Sequence, residues 1–342
     1  MRRRTMMKKI LWTAILGMLM IVAAGCGNDS GNAEGSSDKL EAPDKFLQIG
    51  TGPMGSGWYP ITTGMSEIYM DNFNGLNASQ IEGGSTANLK SLDVGDIQLG
   101  INYTSDFSDA IAGEGGFTEP LDTVSAIASL YPVYQTIAVL DSNEDIQKIE
   151  DIVDKHIFLG PKNGGGPVAF WRMMDEYGIT EETIEQAGGQ ISYGNYNDGA
   201  SMLVDNSVDV FLGGGAPTVV ALQEIELTNQ LRVLPIDQDK LDSIKEKDYG
   251  ISAAPLPAET YKGQDEEVPT YTAVSMMTSR ADLDEEYVYN LTKLFWENMD
   301  VFEEQIPERA VHFTLDTVLD GIDPETLHPG AKKYYEEQGV LE

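Results

Sequence analysis

The chain has 342 residues, with 22 basic against 56 acidic side chains and a formal net charge of −34. So acidic a protein lacks the basic surface of nucleic-acid-binding proteins and disfavours contact with anionic lipid headgroups. The acidic residues are spread along the whole chain, which indicates a solvated surface. The length exceeds what one compact core usually holds, so we expect two domains.

The N-terminus has the three parts of an export signal. Five basic residues precede an apolar stretch at residues 10–24, and small residues follow it. This stretch is too short for a comfortable membrane span, which needs about 20 residues. Residues 23–26 resemble a bacterial lipobox, although Ala23 stands where Leu is usual. We therefore expect residues 1–25 to be a lipoprotein signal peptide and Cys26 to be lipidated. The alternative is a plain secretory signal with an incidental thiol.

Cys26 is the only cysteine, which excludes an intramolecular disulfide and any multi-cysteine metal site. Residues 26–44 are rich in small and polar residues, so they are predicted to be a disordered tether. Removal of residues 1–25 would leave 17 basic against 56 acidic residues, a formal charge of −39. An anionic solute therefore needs a local source of positive charge in this protein. Helix N-termini provide one, and Lys162 is the only cation inside a predicted binding loop.

The stretch at residues 46–60 predicts a strand, a glycine loop and a helix. The apolar residues 46–49 lead into a loop with four glycines, and Pro60 suits the first helical position. Glycines allow backbone N–H groups to approach a ligand at a helix N-terminus. Trp58 and Tyr59 lie where a cleft wall is expected. The alternative is a turn that needs glycine only for its geometry.

Two further units of this kind follow. A strand at residues 78–81 precedes a helix with Ser85 as its N-cap, and a strand at residues 97–101 precedes the polar loop 102–106. In open α/β sheets, ligands bind outside the carboxyl ends of the strands. We therefore expect these loops to lie side by side at one sheet edge. Simple helix capping is the alternative role for Ser85 and Ser105.

The second half repeats the plan. The similar segments 96–100 and 209–213 each follow a helix and precede a polar or glycine loop, which indicates two lobes with a cleft between them. A long strand at residues 270–279 is expected to pair with residues 133–140, so that two strands connect the lobes as a hinge. The other predicted elements are a helix at 146–153, strands at 156–159 and 208–212, glycine loops at 160–167 and 213–217, and helical segments at 284–298, 307–313 and 331–338.

Features of known enzyme classes are scarce in the sequence. The three histidines, His156, His312 and His328, have no second His or Cys at ligand spacing, so structural roles are expected. No nucleophile elbow, lysine-bearing phosphate loop or dinucleotide fingerprint is present. Paired acids such as residues 266–267 keep a hydrolytic carboxylate dyad open as an alternative. We predict no catalysis, no cofactor and no metal.

Several motifs occur in a consistent order: IGTG at 49–52 with GSGWYP at 55–60, GSTANL at 84–89, GDIQLG at 95–100, TSD at 104–106, GGAPT at 214–218 and HPGAKKYYEEQG at 328–339. This order resembles the TAXI family, the extracytoplasmic solute receptors of TRAP transporters. The resemblance covers roughly residues 46–342. It implies an α/β, two-lobed type II periplasmic-binding-protein fold with a two-strand hinge. It also implies delivery of glutamate, glutamine or a small carboxylate to a TRAP membrane permease.

The resemblance also implies a cleft lined by both lobes. First-lobe cleft residues would be Thr51, Ser56, Gly57, Trp58, Tyr59, Ser85, Thr86, Asn102, Tyr103 and Ser105. Second-lobe residues would be Asn163, Gly164, Gly165, Gly214 and Ala216. Two departures from the family pattern leave the solute open: residues 164–167 lack two hydroxyls that the family often has, and residues 102–103 replace a more usual Val-Gln.

Lobe I is predicted at residues 45–135 and 278–342, and lobe II at residues 136–277. The leading hypothesis is a monomeric, lipid-anchored solute receptor outside the cytoplasm, on the outer face of the cell membrane or in the periplasm. A lipid-anchored module that reports ligand to a signalling partner is the second hypothesis. A secreted enzyme on the same scaffold is the third.

Overall fold

The structure is a computed structural model that describes residues 39–247 and 250–342. The predicted signal peptide, Cys26 and most of the predicted tether lie outside these residues. The end of the tether differs from the prediction, because Leu40 forms a β-bridge with Phe73 and its N–H donates to the Asn72 carbonyl at 2.9 Å. The Leu40 side chain also packs against the hydrophobic core, and burial of its apolar surface offsets the cost of ordering this segment.

Ten strands form one sheet, which confirms the predicted mixed α/β class. The strands are β1 Phe46–Gly50, β2 Asn77–Ile81, β3 Leu99–Tyr103, β4 Val124–Leu140, β5 His156–Phe158, β6 Gln190–Ser192, β7 Val210–Gly215, β8 Leu231–Val233, β9 Ile251–Leu256 and β10 Val268–Arg280. Their order across the sheet is β2-β1-β3-β10-β4-β7-β5-β6, with β8 beside β4 and β9 beside β10.

Helices cover the sheet. Those in the described residues are α1 Trp58–Asn72, α2 Ser85–Asp93, α3 Thr104–Ala112, α4 Gly165–Glu176, α5 Glu181–Ala187, α6 Tyr196–Val204, α7 Val220–Ile225, α8 Gln238–Lys247, α9 Glu285–Glu297, α10 Met299–Gln305, α11 Pro307–Ala310 and α12 Pro329–Glu337. None of them is both long and apolar enough to cross a membrane. A 3-10 turn at Ile149–Ile152 replaces most of the helix predicted at residues 146–153.

Two groups of parallel strands flank the long antiparallel pair β4 and β10. The first group is β2-β1-β3 and the second is β7-β5-β6. Because β3 is antiparallel to β10, β10 to β4, and β4 to β7, the two groups run in opposite directions. The carboxyl ends of both groups lie at the middle of β4. Tyr103, the last residue of β3, is opposite Ser275 of β10, which is itself opposite Tyr131 of β4. Gly215, the last residue of β7, is opposite Tyr134 of β4.

The predicted pairing of residues 270–279 with residues 133–140 is confirmed in part: residues 271–273 lie opposite residues 133–135, whereas residues 275–280 lie opposite residues 124–131. However, β4 is far longer than predicted and begins at Val124. Its first half contains Pro132, which cannot donate a ladder hydrogen bond and therefore argues against a central strand. The structure places Pro132 next to an irregularity in the β10 register, between Ser275 and Met276, where the regular ladder is interrupted.

Helix starts also differ from prediction in ways that affect the site. Helix α1 begins at Trp58 with Gly57 as its N-cap, so Pro60 is the third helical residue. Helix α2 begins at Ser85 with Gly84 as its N-cap. The Ser85 hydroxyl is therefore not a cap, and it accepts a hydrogen bond from the Tyr103 N–H at 2.9 Å.

Candidate functional site

A cavity lies where the carboxyl ends of the two strand groups meet. It contains about 390 Å³ of empty space, part of it open to solvent. The walls of the cavity lie close together, so the free space between them is narrow. The lining residues follow β1, β2, β5 and β6, lie in the last residues of β3 and β7, or lie on the middle of β4: Pro53, Ser56, Gly57, Trp58, Gly84, Ser85, Tyr103, Tyr131, Val133, Pro161, Gly164, Gly165, Gly166, Tyr196 and Gly214.

The two walls of the cavity approach each other so closely that only glycine fits at several positions. A Cβ atom at Gly84 would lie 3.0 Å from the Gly164 Cα, and one at Gly165 would overlap the Tyr103 ring. The backbone of Gly84 is extended, with φ of 174°, and φ at Gly164 is −90°. Neither needs the left-handed region that favours glycine, so turn geometry alone does not explain them.

Aromatic side chains fill the space between the walls. The Tyr103 and Trp58 rings meet edge to face with centroids 5.0 Å apart. Burial raises the pKa of Tyr103 well above its usual value, so its hydroxyl stays neutral. The Gln135 Nε2 lies 3.4 Å from that hydroxyl. On the other wall, the Tyr196 hydroxyl accepts from the Gly214 N–H at 3.2 Å.

A buried carboxylate stands behind one end of the cavity. Asp106, near the start of α3, is 1 % exposed, and its Oδ2 has no hydrogen-bond partner. This oxygen faces Gly165, where an added Cβ would lie 2.6 Å away. Burial raises the pKa of the Asp106 carboxyl to about 6, although a hydrogen bond with Ser85 and the charge of Arg172 lower it. The neutral and the ionised form of the Asp106 carboxyl are therefore both populated near pH 6.

A buried guanidinium stands behind the other end. Arg309 in α11 is 2 % exposed and its Nη1 pairs with the half-exposed Glu308. Its Nε and Nη2 have no hydrogen-bond partner. A Cβ at Gly57 would lie 2.7 Å from Nε and 2.9 Å from Nη2, so glycine makes room for the guanidinium there. Burial raises the pKa of Tyr131 to about 12, while the charge of Arg309 and a side-chain hydrogen bond with it lower this pKa.

The structure brings eight of the fifteen predicted site residues together around the cavity: Ser56, Gly57, Trp58, Ser85, Tyr103, Gly164, Gly165 and Gly214. The other seven do not line it: Thr51, Tyr59, Thr86, Asn102, Ser105, Asn163 and Ala216.

Several of these seven residues have identifiable structural roles. The Thr51 hydroxyl accepts from Thr62 at 2.9 Å. The Asn102 amide donates to the Ser85 carbonyl at 2.7 Å and accepts from Thr278. The Asn163 carbonyl accepts from the Ala87 N–H at 3.3 Å, which joins the loop after β5 to α2.

Two other expected features lie apart from the cavity. Lys162 is exposed and lies over the Tyr193 ring, with its Nζ 5.6 Å from the ring centroid. His328 caps α12 by accepting from the Gly330 N–H at 3.2 Å. Burial lowers the pKa of His328, so its ring is neutral. The part of the chain that the structure describes contains no cluster of three His, Cys, Asp or Glu side chains that could hold a metal ion.

Sequence reasoning missed seven lining residues: Pro53, Gly84, Tyr131, Val133, Pro161, Gly166 and Tyr196. It also missed the two buried charges at the ends of the cavity. Gly84 and Gly166 lie within the glycine loops, so their neighbourhood was visible in the sequence. Tyr131 and Arg309 carry no local signal, because only the tertiary fold brings Arg309 beside Gly57 and Tyr131 to the cavity wall.

Residues 49–339 match the NMT1-like family, a span that includes the whole cavity. The chain belongs to this family. Among solved structures, a putative L-cystine ABC transporter from Listeria monocytogenes is similar at 12 % identity, with 79 % of this chain and 99 % of that chain covered and a TM-score of 0.47. The alkanesulfonate-binding protein from Xanthomonas axonopodis pv. citri, bound to MOPS, is 14 % identical with 86 % and 84 % covered and a TM-score of 0.46. The effector-binding domain of a BenM variant is 16 % identical with 76 % and 96 % covered and a TM-score of 0.44.

Proposed function

We propose that this chain is a solute-binding receptor that closes two lobes around a small organic solute, an amino acid or a small carboxylate. The observation that carries the proposal is the cavity itself, which is built from strand ends on both sides of the β4 and β10 pair. Clefts of this kind are the usual place for a small ligand in α/β proteins. In this proposal, lobe I comprises residues 45–135 and 278–342, and lobe II comprises residues 136–277.

The cavity wall favours binding over catalysis. Its lining consists of glycines, prolines, aromatic rings, one valine and two serines. Among the lining residues there is no histidine, cysteine or carboxylate to act as a nucleophile or general base. Buried tyrosine hydroxyls and backbone N–H groups bind polar atoms without reacting with them. We therefore propose that the protein is not an enzyme.

Closure would take place about the middle of β4 and β10. The two walls touch at Gly84 and Gly164, and the Arg172 side chain of α4 forms an ion pair with Asp109 of α3. With so little free space inside, a solute enters only if these contacts separate. Two connecting strands permit such a hinge motion, and a bound solute would shift the population toward the closed form.

We further propose that the receptor delivers its solute to a TRAP-type permease. It rests on the sequence resemblance to the TAXI receptors, and a lipid anchor at Cys26 would keep the receptor at the outer face of the cell membrane. The runner-up is a lipid-anchored sensor that uses the same cavity but reports to a signalling partner. A reconstituted permease that transports solute only when this protein is present would favour the first function over the second.

The primary test is to identify what the cavity binds. We would purify the chain from residue 27 onward, denature it and analyse the released small molecules by mass spectrometry. A stoichiometric amino acid or carboxylate, whose re-addition raises the melting temperature, is the expected result. An empty protein that no member of a broad metabolite panel stabilises would refute the receptor function, and turnover of a bound compound would show an enzyme instead.

A further inference from the structure

We propose that closure of the two lobes takes up one proton at Asp106, so that the receptor binds its solute more tightly in acidic surroundings. The inference rests on the proposed function and deepens it, since it names a condition that regulates the closing step. Asp106 does not line the cavity. It therefore acts on the contact between the walls and not on the solute itself.

The first argument is that both lobes together bury Asp106. The residue lies in the first turn of α3, in lobe I, and is 1 % exposed. The Gly165 backbone of lobe II covers it, because a Cβ added at Gly165 would lie 2.6 Å from the Asp106 Oδ2. Gly250, also in lobe II, lies against the preceding residue, since a Cβ there would overlap the Ser105 side chain. Separation of the lobes would remove both backbones and admit water to the carboxyl.

The second argument is that the carboxyl is only partly paired when the walls are in contact. Ser85 forms a hydrogen bond with it, whereas Oδ2 is buried without a partner. An ionised carboxylate loses more hydration on burial than a neutral carboxyl does, so burial without a partner favours the protonated form. Water would hydrate Oδ2 once the walls separate. Closure therefore favours uptake of a proton.

The charges around Asp106 do not cancel this effect. Charged and titratable side chains near it come from the elements packed around the start of α3: Asp109 in α3, Glu114 after it, Tyr103 in β3, Arg172 in α4 and Lys247 in α8. Arg172 is ion-paired with Asp109, so these two charges act on Asp106 in opposite directions. Burial keeps the Tyr103 hydroxyl neutral. Burial of Asp106 itself has the largest effect and raises its pKa to about 6.

The sign and size of the pH effect follow from the two forms. A hydrated aspartate loses its proton near pH 3.8, whereas Asp106 keeps it to about pH 6 when the walls are in contact. Above pH 6 neither form holds the proton, and closure carries the full cost of a buried charge. Affinity for solute therefore falls as pH rises, by about tenfold between pH 5 and pH 8.

The first experiment needs no solute. Aspartate carboxyls are labelled with carbon-13, and the Asp106 signal, assigned by its loss in Asp106→Asn, is titrated by NMR in wild type and Gly84→Val. The valine places a branched side chain where a Cβ already lies 3.0 Å from the Gly164 Cα, so it forces the walls apart. We expect the pKa of Asp106 to be about 6 in wild type and to fall toward 3.8 in Gly84→Val. Equal pKa values in the two proteins would overturn the inference.

The matched control for this variant is Gly116→Ala. Its Cβ would make only an ordinary contact at 3.4 Å with Thr86, so the walls stay in place and the pKa of Asp106 should equal that of wild type.

The second experiment measures affinity by calorimetry at pH 5 and pH 8, with L-glutamine and L-glutamate as probes. L-Glutamine keeps the same charge over this range, so a pH effect on its binding comes from the protein. We expect wild type to bind about tenfold more tightly at pH 5, with uptake of close to one proton in buffers of different ionisation enthalpy. Asp106→Asn should bind equally at both pH values, and Asp316→Asn, at an exposed position, should behave as wild type does.

The outcomes separate this inference from the receptor function. A probe that binds wild type equally at both pH values, or a tenfold pH effect that persists in Asp106→Asn, would refute the role of Asp106 and leave the receptor function standing. A fall in the pKa of Asp106 in Gly84→Val, with no member of the metabolite panel bound, would keep the proton-linked contact of the walls and refute the receptor function.

Discussion

Asp106 gives the sharpest test of the electrostatics of this fold. Its carboxyl is 1 % exposed, and burial raises its pKa from 3.8 to about 6. We expect Asp106→Asn to stabilise the protein at alkaline pH, because the amide has nearly the same shape but cannot ionise. The groups that face Asp106 are Ser85, the backbone of Gly165 and the charged pair of Arg172 and Asp109.

The magnitude follows from the difference in proton affinity between the folded and unfolded states. In the unfolded chain, the carboxyl loses its proton near pH 3.8, whereas in the folded chain it keeps the proton until about pH 6. Between these values the folded state binds more protons, so the free energy of unfolding falls as pH rises. Above pH 6 the accumulated loss is about 3 kcal/mol, at 1.36 kcal/mol per pKa unit. Below pH 3.8 this cost is absent.

Urea unfolding followed by tryptophan fluorescence would measure the effect in wild type and variant at about pH 4 and about pH 8. The stability difference between Asp106→Asn and wild type should shift in favour of the variant by about 2.5 kcal/mol between the two pH values, because at pH 4 part of the cost is already present. Any cost of the amide itself cancels in this comparison. Asp316→Asn, at an exposed position, is the control and should show no such shift. An equal difference at both pH values would refute the reasoning.

Two other substitutions probe the cavity wall and its support. Asn102→Leu should lower the free energy of unfolding by about 1–3 kcal/mol in urea titrations, since it removes two buried hydrogen bonds, to the Ser85 carbonyl and from the Thr278 hydroxyl. Unchanged stability would contradict the structural role of Asn102. Gly165→Ala should weaken solute binding in a thermal-shift titration, because its Cβ meets the Tyr103 ring when the walls are in contact. Gly116→Ala, whose Cβ would make only an ordinary contact at 3.4 Å, should bind solute as wild type does.

Local signals predicted much of the fold. Apolar runs that end in glycine loops correctly indicated β1, β2 and the start of β5, because strand hydrophobicity and helix-starting turns are encoded within a few residues. The first half of β4 has no such signal. Its Ser and Ala residues and Pro132 disfavour a strand, and its pairing with the long strand β10 decides its structure.

The candidate site was predictable only as a neighbourhood. Strand ends converge at one place, so a list of the residues there includes both lining and supporting side chains. Asn102 and Tyr103 illustrate the difference, because successive side chains of a strand point to opposite faces. Tyr103 reaches the cavity, whereas the Asn102 amide ties β3 to α2 and β10. The position of Arg309 could not be predicted from the sequence, because nothing in its own segment shows that α11 packs behind Gly57.

The path of the chain into the fold has a geometric consequence. Helix α1 has its first residue, Trp58, in the cavity wall and its last turn beside Leu40, where the described chain begins. Fifteen helical residues span about 22 Å. The point at which the described chain enters the fold and the cavity wall therefore lie at opposite ends of α1.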